Sequence, residues 1–173
     1  MSTIGFDTSN YTTSTAWTDG KTDINVRQIL YVKDGERGIR QSDGVFQHMK
    51  LMPVMYEKLS EQIDFKDVKA VGVSTRPRCV EGSYMPVFLA GEGYAKVVAN
   101  TVGVPLYEFS HQDGHIMAGI YSSGSFELLE NDFISVHLSG GTTEILKSRY
   151  NGFNFDNEII GGSKDISAGQ FID

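Results

Sequence analysis

Residues 133–149 read FISVHLSGGTTEILKSR: a strand-like run, a turn of small residues, and a second strand-like run. The pattern predicts a strand over Phe133 to Leu138, a tight turn at Ser139-Gly140-Gly141-Thr142 and a strand over 143–149, with a third strand over 153–160. The same order occurs near the start of the chain. Residues 3–9 predict a strand that ends in the turn formers Thr8-Ser9-Asn10, residues 12–17 a second, and residues 24–32 a third after the Asp19-Gly20 turn. Two such openings, too far apart for a solenoid repeat, imply a duplicated domain.

The stretch between them alternates helix and strand. Ser42 or Asp43 is the expected cap of a helix whose apolar positions Val45, Met49, Met52, Tyr56, Leu59 and Ile63 recur at three- and four-residue spacing. Pro53 inside that pattern is expected to kink or split it. A buried strand over 68–74 follows, then a helix over 86–102 packed through Gly91 and Gly93, a strand over 105–109, and a helix over 111–121 capped by Ser110. The polar run 122–132 reads as a domain boundary. The expectation is an α/β protein, a mixed sheet with flanking helices, with a first domain over 1–128 and, over 129–173, the truncated start of a second, incomplete copy.

At 173 residues, 40% hydrophobic and 21% charged, the chain has the composition of a soluble globular protein. It has no apolar run of eighteen residues and no basic leader, so the expected location is cytoplasmic, with no membrane association. The lone Cys79 excludes an intramolecular disulfide and a thiolate metal cluster within the chain. A net charge of −7 opposes unaided binding of a phosphate backbone, so contact with RNA calls for a local patch or a partner.

Three features carry chemistry. The turn at 139–143 offers backbone N–H groups and hydroxyls without bulk, as a phosphate requires, although a plain hairpin connection has the same composition. Its counterpart at 8–12 favours a nucleotide site with two facing loops. His111 and His115, four apart at a helix start, project from one face and either share a metal ion or serve as a cap and a packed side chain. A catalytic metal needs a third ligand, and Asp113 points to another face. Asp165 is expected to be solvated or capping. His48 and His137 read as structural, His137 lining the cleft because it precedes the Ser-Gly-Gly turn, and Cys79 as loop packing.

In order and separation, Ile4-Gly5-Phe6-Asp7-Thr8-Ser9, residues 94–105, His111-Gln112-Asp113-Gly114-His115, Leu138-Ser139-Gly140-Gly141 and residues 165–173 resemble the TsaD or Gcp-like (M22 glycoprotease-like) family along nearly the whole chain. That resemblance implies the actin-like ATPase (ribonuclease H-like) fold. It also implies transfer of a threonylcarbamoyl group from threonylcarbamoyl-adenylate to the N6 amine of adenosine in tRNA. By the same resemblance one iron or zinc ion is held by His111, His115 and an aspartate outside these residues. The resemblance further implies that His137, Leu138, Ser139, Gly140, Gly141 and Asp173 contact ATP or the adenylate. The implied partners are tRNA with helper proteins, and a TsaB-like protein or a second copy. The chain departs from the family at Asn10-Tyr11-Thr12 in place of Cys-Asp-Glu, at Arg76-Pro77-Arg78-Cys79 in place of Gly-Pro-Gly, and at Thr142 in place of His. The alternative is a non-catalytic relative that binds nucleotide or a partner protein.

Overall fold

A computed structural model describes residues 1–36, 38–138 and 142–172. Contacts divide the chain into two compact units, Met1–His111 and Gln112–Asp173. The division falls upstream of the polar run 122–132 that reads as a boundary in the sequence.

The first unit opens with three antiparallel strands, β1 (Ser2–Asp7), β2 (Thr12–Thr18) and β3 (Asp23–Ile29). The Asp19 carboxylate accepts the N–H groups of Lys21 and Thr22 and so closes the second turn, where Gly20 takes a positive φ of 84°. Helix α1 (Gln41–Ser60) leads to β4 (Val68–Arg76), and α2 (Phe88–Val102) leads to β5 (Leu106–Ser110). The sheet order is β3-β2-β1-β4-β5, with β4 parallel to both β1 and β5. The carboxyl ends of three strands therefore lie side by side.

Alternation along β1 buries Ile4 and Phe6 on one face, in register with Val71 and Val73 of β4. Met52 and Leu59 of α1 and Ala95, Val98 and Ala99 of α2 complete that core. The buried stripe of α1 is Gly44, His48, Met52, Met55 and Leu59, whereas Met49, expected inside, is exposed. Neither Ser42 nor Asp43 caps the helix: its N-cap is Arg40, which makes no side-chain cap bond, and Asp43 lies in the first turn, where its charge suits the helix dipole. The helix runs through Pro53 as one element. Proline removes the donor that would pair with the Met49 carbonyl, and the Tyr94 hydroxyl of α2 donates to that oxygen instead, at 3.0 Å.

His48 is fully buried against β2, its Nδ1 2.7 Å from the Thr13 hydroxyl. Burial holds the imidazole below its usual pKa, opposed by the Asn10 backbone and the charge of Asp7. Thr13→Val keeps the shape but strands a buried ring nitrogen. We expect a loss of about 1 to 2 kcal/mol in urea unfolding.

The second unit begins along helix α3 (His111–Ser123) and continues with the antiparallel meander β6 (Phe133–Leu138), β7 (Thr143–Tyr150) and β8 (Phe155–Gly162). Both units thus contain a three-strand meander. Buried Asp113 of α3 accepts the Phe155 N–H at 3.3 Å, which joins that helix to β8 and accounts for the position of the division. Phe155 packs against Phe133 and Tyr150, with ring centroids 6.0 and 5.3 Å away. The short helix α4 (Ala168–Ile172) starts with a reciprocal cap: Ser167 Oγ accepts the Gln170 N–H, and Gln170 Oε1 accepts the Ser167 N–H. Among the described residues, no helix is long and apolar enough to cross a membrane.

Candidate functional site

In open sheets of parallel strands, ligands bind at the strands' carboxyl ends, where connections leave backbone groups and side chains facing outward. Here β1 ends at Asp7, β4 carries Ser74 near its end, and β5 is followed at once by His111. These three side chains meet. Asp7 Oδ2 lies 2.9 Å from His111 Nδ1, and Ser74 stands beside Asp7, each one residue beyond the paired Phe6 and Val73. Asp7 Oδ1 accepts the Ser9 backbone N–H at 2.8 Å and the Ser9 hydroxyl. Phe88 of α2 packs beside the imidazole, its ring centroid 6.2 Å away. The pair is partly shielded, with 26% of the Asp7 and 30% of the His111 side chain exposed.

The residue after Asp7 fixes the loop from beneath. Thr8 is fully buried; its hydroxyl donates to the Val87 carbonyl at 2.8 Å and accepts the Gly91 N–H at 3.0 Å. Asn10 then takes a left-handed φ of 43°, a conformation that asparagine tolerates better than most residues.

Burial pushes the Asp7 carboxyl up, but the hydrogen bond and charge of His111, with the Ser74 and Ser9 hydroxyls, outweigh it and bring the group down to about 2. A carboxylate whose folded pKa lies below its ordinary 3.8 stabilises the fold above that value, and the contribution fades as pH falls through about 2. Asp7→Asn is therefore expected to cost about 2 kcal/mol near neutral pH, with a difference from the parent that shrinks on acidification. Urea titrations at a series of pH values measure it; a difference that grows towards acid contradicts the assignment.

In the second unit, His115 of α3 lies with His137 of β6, their ring centroids 5.9 Å apart. His137 faces Glu144 across the β6–β7 ladder, and Leu138 pairs with Thr143. The Thr143 hydroxyl accepts the Ala168 N–H at 2.7 Å, and its carbonyl accepts that of Ser163 at 3.0 Å. Ser139, Gly140, Gly141 and Asp173 lie outside the described residues. Asp165 and Cys79 are exposed, Cys79 within 3.7 Å of Arg76 Nη2. The matched segment 4–9 already contains Asp7, but nothing local in the sequence marks it as the partner of a histidine 104 residues away. Among the described residues, no three His, Cys, Asp or Glu side chains form a metal-binding group.

Comparison with known proteins adds three findings. The family described as "TsaD: tRNA N6-adenosine threonylcarbamoyltransferase" matches residues 35–173. A protein of Christiangramia forsetii named tRNA N6-adenosine threonylcarbamoyltransferase is 31% identical over 71% of this chain and 34% of its own length. One of the same name from Pyrobaculum calidifontis is 27% identical over 98% of this chain and 47% of its own. The chain thus spans between a third and a half of these relatives. Among solved structures, YeaZ from Pseudomonas aeruginosa superimposes with a TM-score of 0.56, over 94% of this chain and 68% of that one, at 10% identity. That likeness concerns the fold, which is the mixed α/β, actin-like ATPase type.

Proposed function

The chain belongs to the TsaD family, and we propose that it contributes to an acyltransferase that moves a threonylcarbamoyl group from threonylcarbamoyl-adenylate to the N6 amine of adenosine in tRNA. In that reaction the amine attacks the carbamoyl carbon. A C–N bond forms, the C–O bond to the adenylate phosphate breaks, AMP leaves with the electron pair, and the amine gives up a proton. The observation that carries this reading is His111 held at the carboxyl ends of three neighbouring strands, on a helix that presents His115 one turn further on.

The donor chemistry fits a metal. Imidazoles four apart on a helix share a face, and with Nδ1 engaged by Asp7 the nitrogen through which His111 would bind is Nε2. We assign His111 and His115 as ligands of one iron or zinc ion, with the third ligand from outside residues 1–173. When bound, the metal supplies Lewis-acid polarisation and a template for the threonylcarbamoyl group. His137, Leu138, Ser139, Gly140, Gly141 and Asp173 are assigned to ATP or the adenylate, the glycines allowing backbone N–H groups close approach to phosphate. The net charge of −7 supports helper proteins in holding tRNA, a TsaB-like protein or a second copy among them.

Tyr11 and Thr12 favour a second reading, because they stand where the family has two carboxylates: a non-catalytic relative that binds nucleotide or a partner. Complementation decides between them. Restored threonylcarbamoyladenosine in the tRNA of a strain lacking the enzyme supports the transferase; failure to restore it, with nucleotide or partner binding retained, supports the second reading.

A further inference from the structure

The carboxylate beside His111 is itself held in place. The Ser9 N–H and hydroxyl bind it, and its backbone is locked in the β1 ladder next to β4 through the Phe6 and Val73 register. His111 follows β5, whose register to β4 pairs Ser74 with Phe109. Donor and acceptor therefore sit at strand ends whose relative positions are set by backbone ladders, and Phe88 packs beside the ring. A loosely placed surface pair has none of these restraints.

We infer that Asp7 is the positioning residue of His111, fixing the proton of the neutral imidazole on Nδ1 and so directing Nε2 to the metal. An ionised carboxylate only accepts hydrogen bonds, so the ring nitrogen facing it at 2.9 Å has to be the donor. The lone pair of the neutral ring is then on Nε2. Carboxylates that bond the distal nitrogen of a ligating histidine fix its tautomer and raise its basicity, and their loss weakens metal binding by about 10- to 100-fold. The inference rests on the reading of His111 as a ligand.

Two measurements on the protein as encoded in its gene separate the two claims. Imidazole nitrogen NMR in mildly alkaline buffer is expected to show the Nδ1–H tautomer for His111, shifting towards Nε2–H in Asp7→Ala. Asp7→Asn keeps an acceptor oxygen and is expected to retain Nδ1–H. Titration with cobalt(II) alone, read by its ligand-field absorption, is expected to weaken roughly 10- to 100-fold in Asp7→Ala and less in Asp7→Asn. Should Asp7→Ala not fold, Ser9→Ala removes a hydroxyl that binds the carboxylate without touching the ring, and a several-fold weaker affinity is expected. An Nε2–H ring in the parent, or cobalt affinity and tautomer unchanged in the folded Asp7 variants, overturns the inference. Cobalt binding that is absent from the parent, or indifferent to His111→Ala, overturns the metal reading instead and leaves the tautomer result standing.

Discussion

Replacement of both His111 and His115 by alanine is expected to abolish metal uptake and to lower threonylcarbamoyl transfer by more than about 100-fold, that is, by roughly 3 kcal/mol or more of transition-state stabilisation. The two imidazoles supply the ligands that α3 offers, one turn apart. One histidine and a distant third ligand leave too few donors for a tight site, so each single variant is expected to fall nearly as far as the pair. His48→Ala serves as a contrast. It removes a buried imidazole from the first unit, and its expected effect is on unfolding rather than on metal content. Metal analysis of the purified protein and nucleoside analysis of tRNA from complemented cells provide the readouts. Full modification by the doubly substituted protein removes the proposed role of both histidines.

Much of this frame was legible in the residues because it depends on local pattern. Partial alternation marks β1, β-rich composition β2, and the Asp19-Gly20 turn with the apolar run behind it β3, which ends at Ile29 rather than 32; three- and four-residue spacing marks α1 but misplaces its stripe. Hydrophobic spacing places Met49 inward and leaves out Gly44 and His48, because hydrophobicity cannot register a histidine whose nitrogen is satisfied by Thr13. Pro53 signalled a break because the compensating donor, Tyr94, is on another helix. Parallel pairing of β4 with β1 and β5 brings together residues far apart in the chain, so the meeting of Asp7, Ser74 and His111 left no periodic trace. The histidine pair on α3 was visible because its spacing is helical; the carboxylate that orients one member was not.

Gly91→Ala is expected to destabilise the first unit by about 2 to 4 kcal/mol, whereas Gly93→Ala, two residues on, is neutral or slightly stabilising. Both glycines were expected to pack tightly, but only one does. A Cβ at position 91 would lie 2.8 Å from the Thr8 hydroxyl oxygen and 3.3 Å from Thr8 Cγ2, while at position 93 nothing stands within 4 Å. Thr8 cannot swing away without leaving the Val87 carbonyl and the Gly91 N–H unpaired in a fully buried position. Overpacking costs about 1 to 3 kcal/mol and a stranded buried polar group about as much again, against a gain of about 1 kcal/mol from alanine's helix propensity. At position 93 that gain is unopposed. Thr8→Ala removes the obstructing atoms, so the double variant should lose less than the sum of the two single changes. Because Thr8 lies between Asp7 and Ser9, the clash also displaces the carboxylate that holds His111, and metal affinity should fall in Gly91→Ala while Gly93→Ala keeps it. Equal stability of the two alanine variants in urea unfolding would show that contact between Thr8 and α2 is looser than these distances require.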